Sequence, residues 1–517
     1  MKTFAAIDVG SYELMLKIFE ISEKKGIREI DMLKHSLDLG TGTYATGRIS
    51  SEKVDELCRI LSRFSDVMRA YRTDSYKAYG TSAIRETLDS EVVIDLIEKR
   101  TGIKIDILSN SEQRFLDYKS VAARQEDFLE IIEKPAAIVD VGGGSIQISL
   151  FNKDKLVSTQ NMRLGVLRIR ESISKMDLKS GRLSEAVREF ASVQLEAFRK
   201  MYVKDLRVET AIIVDDYLSA LVDRKAQMPV SDRKSQHGGN DRYVSKEELE
   251  EIIKTVSGMS PAEAARLYGI AEESLNITFI SGVIIKQICE ILHSGKLWVP
   301  GVTLCDGMAY EFAEKNRILR IRHDFTEDIL ACARTVSRRF MGSETMEDAI
   351  DRTCVEVFNT LKKVHKLGSR ERTLLRMAAI LSDCGNYISM QNRSECSYYI
   401  IMATEMIGLS HSERVIIANT VKYNHMDMDR GMEHYPDHMD VSDYLLMLKL
   451  TAMLRVSDTI CRTPEKALGV SFKLKSEELQ ILYGDDMNMT VEKGIMKNKT
   501  KLLKEVLGVT AVVRRAK

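Results

Sequence analysis

Two segments of the chain, FAAIDVGSYELMLKIFEI from Phe4 and AAIVDVGGGSIQISLF from Ala136, follow one plan. Each runs from an apolar strand through Asp-Val-Gly and a small or polar turn into a second apolar strand. Asp8-Val9-Gly10-Ser11 thus echoes Asp140-Val141-Gly142-Gly143-Gly144-Ser145. Two short strands joined across glycines make a hairpin. Two such hairpins about 130 residues apart predict two related α/β domains. Their loops are then placed to close on one anion from opposite sides of a cleft.

Glycine admits positive φ and lets the backbone come close to a ligand. Successive N–H groups in such a turn form a concave nest for phosphate oxygens. An aspartate beside the nest repels phosphate unless a divalent cation stands between them, and Mg²⁺ suits, being held by one or two carboxylates with phosphate and water. A single DVGGGS serves any tight hairpin. Its repetition between strands is what points to a ligand.

Between the hairpins, Val54, Leu57, Leu61, Phe64 and Met68 recur at helical spacing, predicting an amphipathic helix from near Ser51. SYKAYGTSAIRETLD reads as strand, turn and helix, with Thr81 and Ser82 near the helix start. IKIDILSNSEQRFLDYKSVAA repeats that order and brings Glu112 to the first turn of a further helix. A polar stretch after Asp223, with Gly238-Gly239, is expected to be a loop of the second domain. From about Arg322 the pattern is helical until about Leu479. ELQILYGDDMNMTVEKG then reads as a hairpin, LLKEVLG as a helix and VTAVVRR as a final strand. The last segment is basic through Lys493, Lys497, Lys499, Lys501, Lys504, Arg514, Arg515 and Lys517, either as a solvated face or as a polyanion contact.

Lys+Arg 76 balances Asp+Glu 76, so no global field recruits a polyanion and an anion site has to be local. The eight cysteines show no paired spacing, as expected of thiols in a reducing compartment. Asp8 interrupts the first apolar run too early for a signal peptide. LNITFISGVIIKQICEIL, the most apolar stretch, contains Asn276 and Lys286. A cytoplasmic protein without membrane or nucleic-acid partners is expected.

Five stretches in order, AAIDVGS, GTSAIRET, SNSEQR, IVDVGGGS and LGVLRIRE, resemble the exopolyphosphatase/guanosine pentaphosphate phosphohydrolase family, within the actin-like ATPase fold superfamily. The resemblance covers about the first 310 residues. It implies removal of terminal phosphate from polyphosphate or guanosine pentaphosphate with a divalent metal. On that reading Ser11 and Gly142, Gly143, Gly144 and Ser145 bind phosphate oxygens, and Asp8 and Asp140 hold or orient Mg²⁺ or another divalent cation. Arg85 clamps a phosphate, and Arg168 is either another phosphate contact or a surface salt bridge. Glu112 matches the family's catalytic glutamate and is the expected general base. Its alternative is a helix N-terminal glutamate favoured by the macrodipole.

The match is incomplete. Gln147 stands where the family has glutamate, and an amide carries no charge and is no base. Tyr12 and Glu13 replace a small polar pair; Asp215, Asp216 and Tyr217 occupy the place of a Gly-Gly-Thr-type loop; Cys305 replaces an arginine before Asp306-Gly307. The region 316–476 resembles a helical HD-type domain, but Ser382, Cys396 and Asn424 fall where histidines are usual. Asp383 and Asp458 remain, with His425 one residue out of register. That domain is expected to be non-catalytic, closing over the cleft or forming a homodimer contact.

The expectation is therefore α/β plus all-α: actin-like (ribonuclease H-like) domains over 1–127 and 128–315, an HD-like helical domain over 316–476 and a small α+β segment over 477–517. The expected function is Mg²⁺-dependent phosphohydrolysis, with a weakened regulator that binds polyphosphate or guanosine penta- or tetraphosphate as the alternative.

Overall fold

Each Asp-Val-Gly hairpin seeds a sheet. β1 (Lys2–Val9), β2 (Glu13–Ser22) and β3 (Gly26–Ser36) run antiparallel, and β4 (Ser75–Gly80) and β5 (Asp106–Ile107) add in parallel beside β1. The second sheet repeats the plan with β6 (Ala136–Val141), β7 (Ile146–Asn152) and β8 (Lys155–Met162) antiparallel and β9 (Thr210–Val214) parallel beside β6. β10 (Tyr243–Ser245) and β11 (Lys296–Trp298) extend it, with β11 parallel to β9. The strand orders are β3-β2-β1-β4-β5 and β10-β11-β9-β6-β7-β8. The expected duplication is present in the topology itself.

The computed structural model describes the chain apart from residues 125, 177–181, 215–216, 220–221, 223–241, 269–271, 320–322, 429–435, 486 and 517. It divides into two compact units, Met1–Asp324 and Phe325–Lys517. The expected loop after Asp223 and the Asp215-Asp216 pair lie outside the described residues.

In the first unit the helices are α1 (Gly40–Thr46), α2 (Ser51–Ala70), α3 (Ser82–Glu86), α4 (Ser90–Thr101), α5 (Asn110–Ala122), α6 (Glu126–Ile132), α7 (Val166–Ser174), α8 (Leu183–Phe198), α9 (Lys246–Gly258), α10 (Pro261–Tyr268), α11 (Leu275–Leu292) and α12 (Leu304–Lys315). α2 begins where expected, because the Ser50 side chain accepts from the Lys53 N–H. β1 is covered on both faces, as its near-continuous apolar run requires. Ala5, Ile7 and Val9 face the core shared with Leu57, Leu61 and Phe64 of α2. Phe4 and Ala6, on the opposite face, meet Leu304, Cys305 and Met308 of α12.

That placement of α12 departs from the expected boundary, since a helix at the end of the second segment packs on the first sheet. Phe312 stacks on Phe4 with ring centroids 4.4 Å apart, and Asp306 takes the buried Lys17 ammonium at 2.8 Å. Gly307 lets α12 approach α5 closely, because a Cβ there would lie 2.0 Å from the Leu116 carbonyl oxygen. α11 is long and apolar enough to cross a membrane, and most of it is buried instead in the core of the second sheet.

In the second unit α13 (Phe325–Arg339), α14 (Glu344–His365), α15 (Ser369–Ile380), α16 (Arg393–Ala403), α17 (His411–His425), α18 (Val441–Ile460) and α19 (Pro464–Leu468) precede a small sheet. Buried Asp351 of α14 takes Arg376 of α15 through both oxygens, at 2.8 and 2.9 Å, and Arg334 of α13 at 2.9 Å. β12 (Val470–Lys475) and β13 (Glu478–Tyr483) form a hairpin, and β14 (Thr510–Arg515) joins β13 in parallel. Between them lie α20 (Thr490–Lys499) and α21 (Lys501–Leu507). The expected second strand at TVEKG is therefore helix. Glu492, fully buried against Lys466 at 2.7 Å, and Met496 anchor it. The true first strand, VSFKLK, lies inside the segment expected to be helical.

Candidate active site

The two loops are built alike. Gly10 N–H donates to the Glu13 carbonyl at 3.0 Å, and Gly142 N–H to the Ser145 carbonyl at 2.9 Å. The Ser11 carbonyl accepts from Leu39 and Gly40 at the start of α1, as Gly142 and Gly143 carbonyls accept from Val166 and Leu167 at the start of α7. The tips meet. A Cβ on Gly143 would lie 3.1 Å from Ser11 Cβ, and one on Gly144 would lie 2.2 Å from Tyr44 Oη. Only residues without side chains permit this contact. Ser11, Tyr44 and Ser82 hydroxyls form a triangle with each side 2.8 Å. Burial pushes the Tyr44 phenol pKa up.

Beside the contact lies a cavity of about 100 Å³. Asp8, Ser11, Asp140, Gly142, Gly143, Gly144 and Ser145 line it, so seven of the expected residues come together. Asp8 and Asp140 occupy matching positions, each next to last in the central strand of its sheet. Glu13, Gln113, Asp117, Thr81, Ser82 and Thr303 complete most of the polar wall. Among the described residues the lining contains four carboxylates and no lysine or arginine. A phosphate entering alone would be repelled.

The other expected residues are elsewhere. Glu112 is not part of the lining. Its carboxylate accepts from the Ser109 backbone N–H at 3.0 Å, while Ser109 Oγ accepts from the Glu112 N–H at 3.2 Å. That reciprocal pair is a capping box. Arg85 binds the Leu108 carbonyl at 2.6 Å and Asn110 Oδ1 at 2.5 Å, tethering the start of α5. Arg168 donates to the Gly144 carbonyl at 2.7 Å, pairs with Glu86, and stacks over the Tyr44 ring at 4.0 Å. It holds the glycine loop from behind. Gln147 lies 2% exposed in β7, directly opposite Asp140, with neither amide atom hydrogen-bonded.

Sequence reasoning missed Gln113, Asp117 and Tyr44. The first two share one face of the helix, being four residues apart, and the capping-box pattern Ser-Asn-Ser-Glu fixes where that helix begins. Tyr44 carried no local signal.

In the second unit His425 Nδ1 stands 3.8 Å from Asp458, and Asn424 Nδ2 lies 3.2 Å from His425 Nε2. Burial, then the Asp458 charge, pushes the Asp383 pKa up; burial also raises Asp458. Burial, with Arg393 and Lys499, lowers His425 to about 4. Among the described residues no group of three or more His, Cys, Asp or Glu side chains is arranged to hold a metal.

Residues 17–316 match the Ppx/GppA phosphatase family, and residues 332–508 match domain III of Ppx/GppA phosphatases. The guanosine-5'-triphosphate,3'-diphosphate pyrophosphatase of Aeromonas salmonicida is 22% identical over 95% of this chain and 93% of its own length. That of Photobacterium profundum is 20% identical over 87% of this chain and 86% of its own. A crystal structure of an exopolyphosphatase from Cytophaga hutchinsonii superposes with a TM-score of 0.53 at 18% identity, covering 62% of this chain and 99% of that one.

Proposed function

The chain belongs to the Ppx/GppA phosphatase family, and on that premise we propose that it is a phosphoanhydride hydrolase releasing terminal phosphate from polyphosphate or guanosine pentaphosphate. The observation that carries this is the shared cavity, where two matching loops and two matching aspartates converge on one small volume. The loops offer backbone N–H groups to phosphate oxygens, with Ser11 and Ser145 hydroxyls beside them. Charge neutralisation and positioning are what phosphoryl transfer needs most.

A divalent cation fits the donor set. Among the described residues the lining carries carboxylate and hydroxyl oxygens and no histidine or cysteine, which suits a hard ion. Asp8 and Asp140 would hold it, and it would offset the charge of the phosphate. The protein supplies too few ligands for a closed cage, as expected of Mg²⁺, which retains waters and substrate oxygens. The test is phosphate release from each substrate with Mg²⁺ and with chelator. Release that requires the cation supports the reading, and release unaffected by chelation removes the metal from it.

A second reading, a regulator that binds these polyanions with little turnover, is favoured by the amides Gln113 and Gln147 standing near the acids. Saturable binding without release would select it.

A further inference from the structure

Three hydroxyls meet where the two glycine loops touch. Ser11 Oγ, Tyr44 Oη and Ser82 Oγ stand 2.8 Å from one another on every side. Each hydroxyl carries one proton and two acceptor lone pairs. Three protons therefore fill the three sides, with every hydroxyl donating once and accepting once. In that closed ring Ser11 keeps no proton for a ligand. The ring is also a tight one, because the bond given and the bond taken at each corner meet at a sharper angle than hydroxyl lone pairs prefer. Ser11 and Ser82 belong to the cavity wall, and Tyr44 does not.

We propose that Tyr44 is a positioning residue for phosphate, a hydroxyl that turns the Ser11 proton into the cavity when the anion enters. This assignment rests on the reading above that brings a phosphate to the Ser11 hydroxyl. On binding, the Ser11 proton leaves the ring for a phosphate oxygen, and Tyr44 donates to the Ser11 oxygen. Three protons still make three hydrogen bonds. One of them now goes to an anion, which is the stronger kind. A hydroxyl that accepts while it donates is polarised and donates better.

The surroundings of Tyr44 suit that task. Burial pushes its phenol pKa up, so the hydroxyl stays protonated and able to donate. Arg168 lies over the ring at 4.0 Å and donates to the Gly144 carbonyl at 2.7 Å, so one guanidinium holds both the ring and the second loop. The hydroxyl itself is wedged between Ser11 of the first loop and Gly144 of the second, where a Cβ would lie 2.2 Å from it. The donor that sets Ser11 is thus held in place by the opposite loop. A side chain fixed by such neighbours orients the group in front of it.

The experiment is a double-mutant cycle on Tyr44→Phe and Ser11→Ala. It is read as KM and kcat for phosphate release from polyphosphate with Mg²⁺, and as the Kd of inorganic phosphate with Mg²⁺ by calorimetry. Tyr44→Phe keeps the ring beneath Arg168 and removes only the hydroxyl. It is expected to raise KM and Kd about three- to tenfold and to leave kcat nearly unmoved, since the lost interaction serves bound substrate and transition state alike. In the Ser11→Ala background the same substitution is expected to change either constant by less than about twofold, because the proton it directs is gone. A packing role would cost the same in both backgrounds, and that result overturns the assignment alone. So does a Tyr44→Phe variant whose KM and Kd match wild type. If wild type binds phosphate without releasing any from polyphosphate, the hydrolase reading falls and the cycle on Kd still decides for or against Tyr44. A wild type that neither releases nor binds phosphate overturns both.

Discussion

Asp140 and Gln147 stand directly opposite each other across β6 and β7, and both polar atoms of the Gln147 amide are buried without a hydrogen-bond partner. In the first sheet the matching pair is Asp8 and Met15. One sheet thus presents an acid beside a neutral polar group and the other an acid beside a thioether. The position directly facing the aspartate is neutral in both halves.

Gln147→Glu places a second carboxylate about 5 Å from Asp140, at a position only 2% exposed. Like charges at that distance repel, and burial raises the cost. The variant is expected to lose about 1–3 kcal/mol in chelator and to recover most of it with Mg²⁺, which would bridge the two carboxylates. Melting curves with and without Mg²⁺ check this. A loss that Mg²⁺ leaves unchanged contradicts it.

Gly307→Ala forces α12 and α5 apart, since its Cβ would meet the Leu116 carbonyl at 2.0 Å. A cost of about 2–3 kcal/mol is expected, with a fall in kcat because Asp117, which follows Leu116, lines the cavity. Gly258→Ala is the contrast. Nothing lies within 4 Å of a Cβ at the end of α9, so urea unfolding should show a change near zero or a gain below about 1 kcal/mol.

His425 gives the second unit an acid-sensitive element. Its folded pKa, lowered to about 4 from 6.5, means that the fold favours the neutral ring. The contribution is present in full above the unfolded value and is lost as pH falls from about 6.5 towards 4. Its size is on the order of 3 kcal/mol. Asp383 and Asp458, both raised, act with the opposite sign and offset part of the loss as they take up protons. His425→Asn is expected to flatten the decline in stability between about pH 7 and pH 4.5, measured by denaturant unfolding. An unchanged slope contradicts the assignment.

The duplicated sheets were legible because Asp-Val-Gly between apolar strands is a local pattern, and the α2 start was legible because Ser50 is a local cap. What escaped the sequence depends on distant partners. α12 joins the first sheet through Phe4 and Lys17, about 300 residues earlier. The helix at Thr490 depends on a buried Lys466–Glu492 pair, and Gly494 within it reads as a turn. At the site, the glycine loops and both aspartates were apparent. Glu112 was expected at the site from resemblance, and its carboxylate also caps the helix by accepting from the Ser109 N–H.

The most direct measurement is phosphate release from polyphosphate and guanosine pentaphosphate in Mg²⁺, comparing wild type with Gly144→Ala. The added Cβ would stand 2.2 Å from Tyr44 Oη and 2.5 Å from Ser82 Oγ, prising the loops apart at the cavity. If the two loops form the site, wild type releases phosphate from at least one substrate, and Gly144→Ala loses at least tenfold in kcat/KM, about 1.4 kcal/mol. Equal release by both proteins, or none by wild type, would contradict the account.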